Sequence, residues 1–346
     1  MTGTIRRVPD IRYGEVLGYR PLELDLYVPA GSEVPVVVYV HGGGWQRGSR
    51  RDPPPLLEAD FYDQIAARGL AVAAIDYRLS GEARFPAPLE DVRTAVDWVR
   101  DHAADYGLDP GRVFLWGDSA GGHLALLAAL TGATVRAAVA WFPVTDLAGM
   151  PSDLADAGGV PDLGPDSREA RLLGAPAPSV PDLARQASPV THASAGAPPI
   201  LLLHGMVDDL VPAAQSVRLA EALGRAGARV ELELVPGATH FWKGAADVAA
   251  IIARSIEFLR AQDLLRRTRQ PRLASPAILD HQFEHKIIYP GGFGLMGEFR
   301  GLQCTNRSPK PKSSPLISRR AHHGALTHHG THWHQHPPAR MASTGP

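Results

Sequence analysis

Short apolar runs alternate with amphipathic segments over roughly the first 260 residues of the chain. The runs are rich in Val, Ile, Leu and aromatic residues and predict strands at Leu22–Val28, Val36–Val40, Leu70–Ile75, Val113–Trp116, Ala137–Phe142, Ile200–Leu203 and Val230–Val235. Between the runs, apolar residues recur at helical spacing, as at Leu89, Val92, Val96 and Val99 and again at Val248, Ile252, Ile256 and Leu259. Strands that alternate with helices predict βαβ crossovers, and therefore a mainly parallel central sheet flanked by helices.

One segment, residues 147–188, interrupts this alternation. It contains many Pro, Gly and Asp residues, and its only helix-like stretch is Ser167–Leu173. Even with this insertion, residues 1–265 have the length of a single domain that buries a substantial core. We therefore predict one domain over residues 1–265.

The composition changes after about Leu265. Residues 266–346 contain 12 Lys and Arg against 3 Asp and Glu, whereas the preceding residues contain 23 against 33. Nine of the 15 histidines, nine prolines and the single cysteine, Cys304, also lie in this part. We predict a basic, His- and Pro-rich, disordered tail, although a displaced reading frame would produce the same shift. The histidine run at 322–336 shows no fixed ligand geometry, so we predict no metal site.

The stretch Gly117-Asp118-Ser119-Ala120-Gly121 follows the predicted strand Val113–Trp116 and precedes a helix-like segment. In a strand–turn–helix context, G-x-S-x-G is typical of a nucleophile elbow, which holds a serine hydroxyl exposed on a tight turn. The flanking glycines leave room for the turn, and the helix N-terminus offers unpaired N–H groups to an oxyanion. We therefore predict that Ser119 is a nucleophile.

A second glycine motif, His41-Gly42-Gly43-Gly44-Trp45, follows the predicted strand Val36–Val40. A glycine run lets the backbone curl so that successive N–H groups point into one cavity. Together with the N–H of the residue after the nucleophile, Ala120, such a loop supplies an oxyanion hole. The alternative is an ordinary glycine-rich turn, which the serine elbow disfavours.

Candidates for the base and the acid follow in the chain order serine, acid, histidine. His240 comes after the predicted strand Val230–Val235 and is the candidate that takes the proton from Ser119. Three aspartates can be considered for the acid that holds this imidazole. We assign it to Asp208, because Asp209 stands where a loop-capping residue is expected, and we keep Asp146 as the remaining alternative.

Together these motifs resemble the α/β-hydrolases of the esterase branch related to hormone-sensitive lipase, and more narrowly the compact bacterial feruloyl- and acetyl-xylan-esterase-like proteins. The resemblance covers roughly residues 12–262. It is carried by His41–Trp45, Asp76–Leu79, Phe85–Ala87 with Asp91 and Trp98, Gly117–His123, Ser188-Pro189, His204-Gly205, Asp208, Val211-Pro212 and His240.

The resemblance implies an α/β-hydrolase fold in which the backbones of Gly43 and Gly44 donate to the oxyanion with Ala120. It also implies that residues 147–188 form a short lid or pocket wall; a surface loop away from the substrate is the alternative. The other polar residues of the motifs are expected to be structural. These are Asp91 and Arg78 as an ion pair, Asp118 as a brace of the elbow, His41 as a support of the oxyanion loop, and His123 and His204 as packed scaffold.

The function implied by the resemblance is hydrolysis of carboxylic esters through an acyl-enzyme, without a metal or organic cofactor. The expected partner is a small-molecule ester with a short acyl chain, because only 40 residues precede the glycine motif and the insertion is poor in large apolar residues. An arylformamidase and a sugar-ester deacetylase are the nearest alternatives. A non-catalytic ligand-binding protein on the same fold is the alternative from another class.

Several other sequence features bear on the cellular location and the partners of the protein. One cysteine cannot form a disulfide framework. The first ten residues lack the apolar core of a secretory signal, and no stretch has the 18 to 20 apolar residues that span a bilayer. We therefore expect a cytoplasmic protein without a membrane partner. The acidic body argues against nucleic acid as the main partner, and the sequence does not indicate the oligomeric state.

Overall fold

Within residues 4–267 and 286–288, which this computed structural model describes, nine strands form a single sheet. The strands are β1 (Arg6–Gly14), β2 (Leu22–Val28), β3 (Val34–Val40), β4 (Ala71–Ile75), β5 (Leu108–Asp118), β6 (Ala138–Trp141), β7 (Ile200–Gly205), β8 (Val230–Val235) and β9 (Lys286–Ile288). Their order is β1-β2-β4-β3-β5-β6-β7-β8-β9. The pairs β1–β2 and β2–β4 are antiparallel, and all other neighbours are parallel. The prediction of a mainly parallel sheet is confirmed.

Helices connect the parallel strands. They are α1 (Phe61–Ala66), α2 (Ala87–Asp101), α3 (Ala103–Tyr106), α4 (Ala120–Leu130), α5 (Met150–Asp156), α6 (Arg168–Leu173), α7 (Pro181–Gln186), α8 (Ala214–Arg225) and α9 (Val248–Arg267). Single 3-10 turns lie at Ala177–Ser179, Pro189–His192 and His240–Trp242. Every described residue belongs to the first of the two units into which the chain divides, Met1–Gly292 and Phe293–Pro346.

The alternation along the buried strands explains why helices cover both faces of the sheet. In β3, Val36, Val38 and Val40 belong to one apolar cluster, and Val37 and Tyr39 belong to the other. The first cluster includes the apolar residues of α2, α4 and α8, and the second includes those of α1 and α9. Both faces of β3 are therefore buried, as its continuous apolar sequence predicts.

The seven predicted strands are all present, and the structure adds two more, β1 and β9. β1 was missed because it is a mostly exposed edge strand that contains Pro9 and several charged residues, so it lacks an apolar run. The insertion 147–188 contains the predicted helix as α6, with the Ser167 hydroxyl accepting a hydrogen bond from the Ala170 N–H. It also contains α5 and α7, which were not predicted.

The predicted tail, residues 266–346, lies outside the described residues except for the last two residues of α9 and the strand β9. Cys304 and the histidine run 322–336 also lie outside them. The disorder of this tail and the boundary after residue 265 therefore stay predictions.

Candidate active site

Ser119 occupies a sharp turn between β5 and α4. Its backbone φ of 51° and ψ of −118° are unusual for a residue with a side chain and cost of order 1–3 kcal/mol. A β-carbon on Gly121 would stand 2.0 Å from the Val40 carbonyl oxygen, and one on Gly117 would stand 2.5 Å from the Gly121 backbone. Only glycine fits at these two positions, so the tight elbow that the motif predicts is possible.

A chain of hydrogen bonds leads from Ser119 to two of the other predicted residues. The Ser119 hydroxyl lies 3.0 Å from His240 Nε2, and His240 Nδ1 lies 2.7 Å from Asp208 Oδ2. Because Asp208 can only accept, Nδ1 of His240 carries the proton, and Nε2 is free to accept from Ser119. One polar network thus joins His240 to Ser119, 121 positions away along the chain, and to Asp208, 32 positions away.

Asp208 is held by several donors besides His240. Its Oδ1 accepts hydrogen bonds from the N–H groups of Leu210 and Val211 at 2.9 Å, and His204 Nε2 lies 3.5 Å from its Oδ2. Burial raises the pKa of this carboxyl, but the hydrogen bonds with His204 and His240 outweigh burial and hold the pKa well below its ordinary value. Asp208 is therefore ionised and oriented toward His240.

The two alternative acids lie in other arrangements. Asp209 is exposed and makes no hydrogen bond to another described residue, so the expectation that it caps the loop is wrong, and Asp208 performs that role. Asp146 accepts hydrogen bonds from the N–H groups of Ala148 and Gly149 and lies 3.4 Å from Arg218. Neither carboxylate contacts His240 through a hydrogen bond.

His240 lies in an apolar setting. It is 5% exposed, and its ring contacts the rings of Phe142 and Phe241, each with a centroid separation of 4.4 Å. Burial lowers the pKa of His240, while Asp208 opposes that shift. The neutral, proton-accepting form is therefore favoured at neutral pH.

Residues 41–45, which we call the oxyanion loop after their predicted role, curl beside the elbow. Gly43 and Gly44 have φ of 114° and 63°, and a β-carbon on Gly43 would stand 2.1 Å from the Arg47 carbonyl oxygen. Among the acceptors that the described residues provide, none takes the N–H groups of Gly43, Gly44 or Ala120. Three backbone donors predicted from the sequence are thus left available next to Ser119.

Asp118 connects the elbow to the oxyanion loop. Its Oδ1 accepts hydrogen bonds from the Gly42 N–H at 3.0 Å and from the Tyr39 hydroxyl at 2.8 Å. Burial raises the pKa of this carboxyl to about 6. Asp118 braces the elbow, as predicted from the sequence. Through its hydrogen bond with Gly42 it also holds the start of the oxyanion loop against the elbow.

The polar residues expected to be structural make scaffold contacts. Arg78 and Asp91 form a buried ion pair at 2.6 Å. His41 stacks on Tyr77, and its Nδ1 lies 2.7 Å from the Gly42 carbonyl. His123 accepts from the Trp45 indole N–H and donates to the Ala187 carbonyl, and burial lowers its pKa to about 4. His204 donates to the Val211 carbonyl and accepts from the Ser216 hydroxyl.

The insertion lines a cavity of about 220 Å³ next to Asp209 and Leu210, which follow Asp208. Its wall consists mainly of apolar residues of the insertion together with Leu210, which follows Asp208 by two positions. The other lining residues with ionisable groups are Asp162, Arg168, Glu169 and Asp209. Burial raises the pKa of Glu169.

The described residues contain neither a metal-binding cluster nor a membrane-spanning helix. No group of three or more His, Cys, Asp or Glu side chains in residues 4–267 and 286–288 is arranged to hold a metal ion. None of the helices described there is both long enough and apolar enough to cross a membrane.

Comparison with known sequences places these features in a family. Residues 24–223 match the BD-FAE family. Esterase LipQ of Mycobacterium tuberculosis is 34% identical over 258 residues, which cover 69% of this chain and 58% of that protein. A probable isoprenylcysteine alpha-carbonyl methylesterase of Arabidopsis thaliana, ICMEL1, is 30% identical over 250 residues, which cover 67% of this chain and 51% of that protein. The chain spans about half the length of the curated relatives it matches.

Two solved structures match this chain over most of their own length. A truncated carbohydrate esterase from gut microbiota is 27% identical with a TM-score of 0.66, over 76% of this chain and 98% of that one. Esterase Est2 of Thermogutta terrifontis, with propionate bound, is 26% identical with a TM-score of 0.57, over 77% of this chain and 94% of that one. The sheet topology, these similarities and a family match over more than half of the sequence show that the chain has an α/β-hydrolase fold and belongs to the BD-FAE family.

Proposed function

We propose that this protein is a serine hydrolase that cleaves short-chain carboxylic esters. The observation that carries the proposal is the continuous hydrogen-bonded path from the Ser119 hydroxyl through His240 to Asp208, at 3.0 Å and 2.7 Å. Nucleophile, base and orienting acid in this arrangement are the parts that covalent acyl transfer requires.

In the first half of the reaction, Ser119 Oγ attacks the ester carbonyl while His240 Nε2 takes the hydroxyl proton. Asp208 keeps the proton on Nδ1 and stabilises the imidazolium that forms. The negative charge that develops on the carbonyl oxygen is stabilised by the N–H groups of Gly43, Gly44 and Ala120. The imidazolium then protonates the leaving alcohol, and an acyl-Ser119 ester remains.

In the second half, a water molecule repeats these steps on the acyl-enzyme. His240 takes a proton from the water, and the resulting hydroxide attacks the acyl carbonyl. The same three N–H groups stabilise the second oxyanion. Collapse of this intermediate returns the proton from His240 to Ser119 and releases the carboxylic acid. Every step uses groups of this chain and water.

The names and ligands of related proteins support ester hydrolysis. Several of them are named esterases or carboxylesterases, including LipQ and NlhH of Mycobacterium tuberculosis. Est2 of Thermogutta terrifontis has been solved with propionate and with butyrate bound and in a form phosphonylated by sarin. Propionate and butyrate are short-chain carboxylates, the product class of the proposed reaction.

A sugar-ester deacetylase is the second candidate, because one structural neighbour is a carbohydrate esterase. The catalytic groups would act in the same way on an acetylated sugar. An assay with three substrates separates the candidate activities. Hydrolysis of p-nitrophenyl acetate alone indicates a short-chain esterase, hydrolysis of acetylated xylan a sugar-ester deacetylase, and hydrolysis of N-formylkynurenine an arylformamidase. Absence of turnover on all three, with the protein folded, would favour a non-catalytic ligand-binding protein.

We expect activity to be highest on acyl chains of about two to six carbons. Each buried methylene contributes about 0.8 kcal/mol to binding, so a site favours long chains only if it can enclose them. The cavity that the insertion lines beside Leu210 has a volume of about 220 Å³, and Ser119 and His240 are not among its lining residues. An acyl chain that reaches it finds less space than most ligand pockets offer, about 300–1,000 Å³. The measurement is kcat/KM for p-nitrophenyl esters from acetate to palmitate. A maximum at about ten carbons or more would contradict the prediction.

The pH dependence follows from the burial of His240. Its pKa is lowered from the ordinary value of 6.5, so the base stays deprotonated as the pH falls to 6.5, and kcat/KM decreases only below that. Asp118, with its pKa of about 6, titrates in the same range, so the profile is also measured for Asp118→Asn. We expect kcat/KM to decrease at low pH in that variant as well, because the decrease is attributed to protonation of His240. A midpoint above pH 7 in the unchanged protein is the contrary result.

A further inference from the structure

Two arginine side chains lie against the glycines of the oxyanion loop. A β-carbon on Gly44 would stand 2.9 Å from Arg168 Cδ and 3.7 Å from its Nε, so the aliphatic part of the Arg168 side chain lies against Gly44. A β-carbon on Gly43 would stand 3.2 Å from Arg47 Cγ. Arg168 comes from α6 of the insertion, whereas Arg47 follows the loop directly. Two arginine side chains from different parts of the chain thus lie next to Gly43 and Gly44.

Neither guanidinium has a partner among the residues that the structure describes. Most arginines of the domain form ion pairs, including Arg171 on the same helix, which pairs with Asp166. Arg168 and Arg47 make no side-chain hydrogen bond or ion pair within residues 4–267 and 286–288. A guanidinium offers five donors in a planar fork that matches a carboxylate. The unused donors beside the reaction centre are what a substrate can contact.

The position of Arg168 restricts what such a contact can be. Its side chain lies between the oxyanion loop and the cavity lined by the insertion. The carboxylates that share this cavity, Asp162, Glu169 and Asp209, do not form an ion pair with Arg168. The charge of Arg168 lowers the pKa of Glu169 against the effect of burial, and it also opposes protonation of His240. Arg168 is exposed and forms no ion pair with a described residue, so its guanidinium is available to a substrate.

We propose that Arg168 is a specificity-determining residue that binds a carboxylate carried by the ester substrate close to the scissile bond. This inference rests on the proposed esterase function and narrows its substrate to esters with an anionic group. The carboxylate can belong to the acyl part or to the alcohol part of the ester.

The test uses matched pairs of substrates that differ in charge and have similar shape. Monoethyl succinate and ethyl levulinate form the acyl pair, and 4-acetoxybenzoate and 4-acetoxyacetophenone form the alcohol pair. For each pair, the ratio of kcat/KM between the carboxylated and the neutral ester is measured in the full chain and in Arg168→Gln. A substitution that lowers activity on both esters equally leaves this ratio unchanged. The ratio therefore does not change if Arg168 only supports the structure.

We expect the ratio to fall about tenfold or more in Arg168→Gln for one of the two pairs, because a close charge pair is lost. The pair that responds identifies the part of the ester that carries the carboxylate. Arg168→Lys, which keeps the charge and loses the fork, is expected to give an intermediate ratio. Raising the salt concentration should lower the ratio in the unchanged protein. Arg171→Gln, three residues along the same helix, is the matched control and should leave the ratio as it is.

A ratio that is the same in Arg168→Gln and in the unchanged protein for both pairs would overturn the inference. An equal fall in Arg171→Gln would also overturn it, because the effect would then not belong to Arg168. Failure of the proposed function looks different: neither the carboxylated nor the neutral esters are hydrolysed by the unchanged protein.

Discussion

Replacing Ser119 by alanine is expected to lower kcat for p-nitrophenyl acetate by about four orders of magnitude or more. The substitution removes the oxygen that attacks the carbonyl and leaves the elbow backbone, the oxyanion donors and the His240–Asp208 pair in place. Water attack assisted by the remaining groups accounts for the residual rate. The fold is expected to persist, because the side chain contributes one hydrogen bond, to His240.

The control for this substitution is Ser152→Ala. Ser152 is exposed in α5 and donates a hydrogen bond to the Gly149 carbonyl, so the control removes a hydroxyl of the same size elsewhere. Thermal unfolding of both variants is followed by circular dichroism. Activity of Ser119→Ala above about a tenth of that of the unchanged protein would assign the nucleophile to another residue.

The second large effect is expected for Asp208→Asn, with a loss of about 10⁴ in kcat. Asparagine keeps an oxygen for the Leu210 and Val211 N–H groups, so the loop retains its shape. Its amide, however, presents an N–H to His240 Nδ1, which then has to accept. The proton moves to Nε2, the nitrogen that must take the proton from Ser119, and the base is lost.

Asp209→Asn and Asp146→Asn separate this effect from a general change of charge. Both side chains lie outside the hydrogen-bonded path, and Asp146 belongs to a turn with Ala148 and Gly149. We expect activities within a few-fold of the unchanged protein for both, since surface and turn substitutions usually have small effects. Loss at Asp146 with none at Asp208 would assign the acid to Asp146.

Local sequence patterns were enough to predict the sheet and the elbow. A strand buried on both faces needs a continuous apolar run, and an elbow needs glycine where a β-carbon meets backbone, so both leave a direct trace in the sequence. The same holds for the oxyanion loop, in which Gly43 and Gly44 have positive φ. The choice of Asp208 over Asp209 relied on a capping role for Asp209 that Asp208 in fact performs, whereas the structure brings Asp208 to 2.7 Å from His240.

Other features left little trace in the sequence. β1 is exposed at the edge of the sheet and pairs through its backbone, which any sequence can do. α5 and α7 each begin with a proline in the first turn, Pro151 and Pro181, within a Pro- and Gly-rich segment in which only α6 was predicted. The contact between Arg168 and Gly44 joins residues 124 positions apart. Such a contact depends on how the insertion folds over the loop, and no spacing rule predicts it.

The central claim, that Ser119 is the residue acylated during turnover, is tested most directly by covalent trapping. The full chain is treated with the organophosphate paraoxon, digested, and analysed by mass spectrometry, with Ser119→Ala treated in parallel. The account predicts one diethylphosphoryl group per chain, located on the peptide that contains Ser119, with loss of activity in proportion to labelling. It also predicts no adduct in Ser119→Ala. Inactivation accompanied by an adduct on any other residue, or equal labelling of Ser119→Ala, would contradict the account.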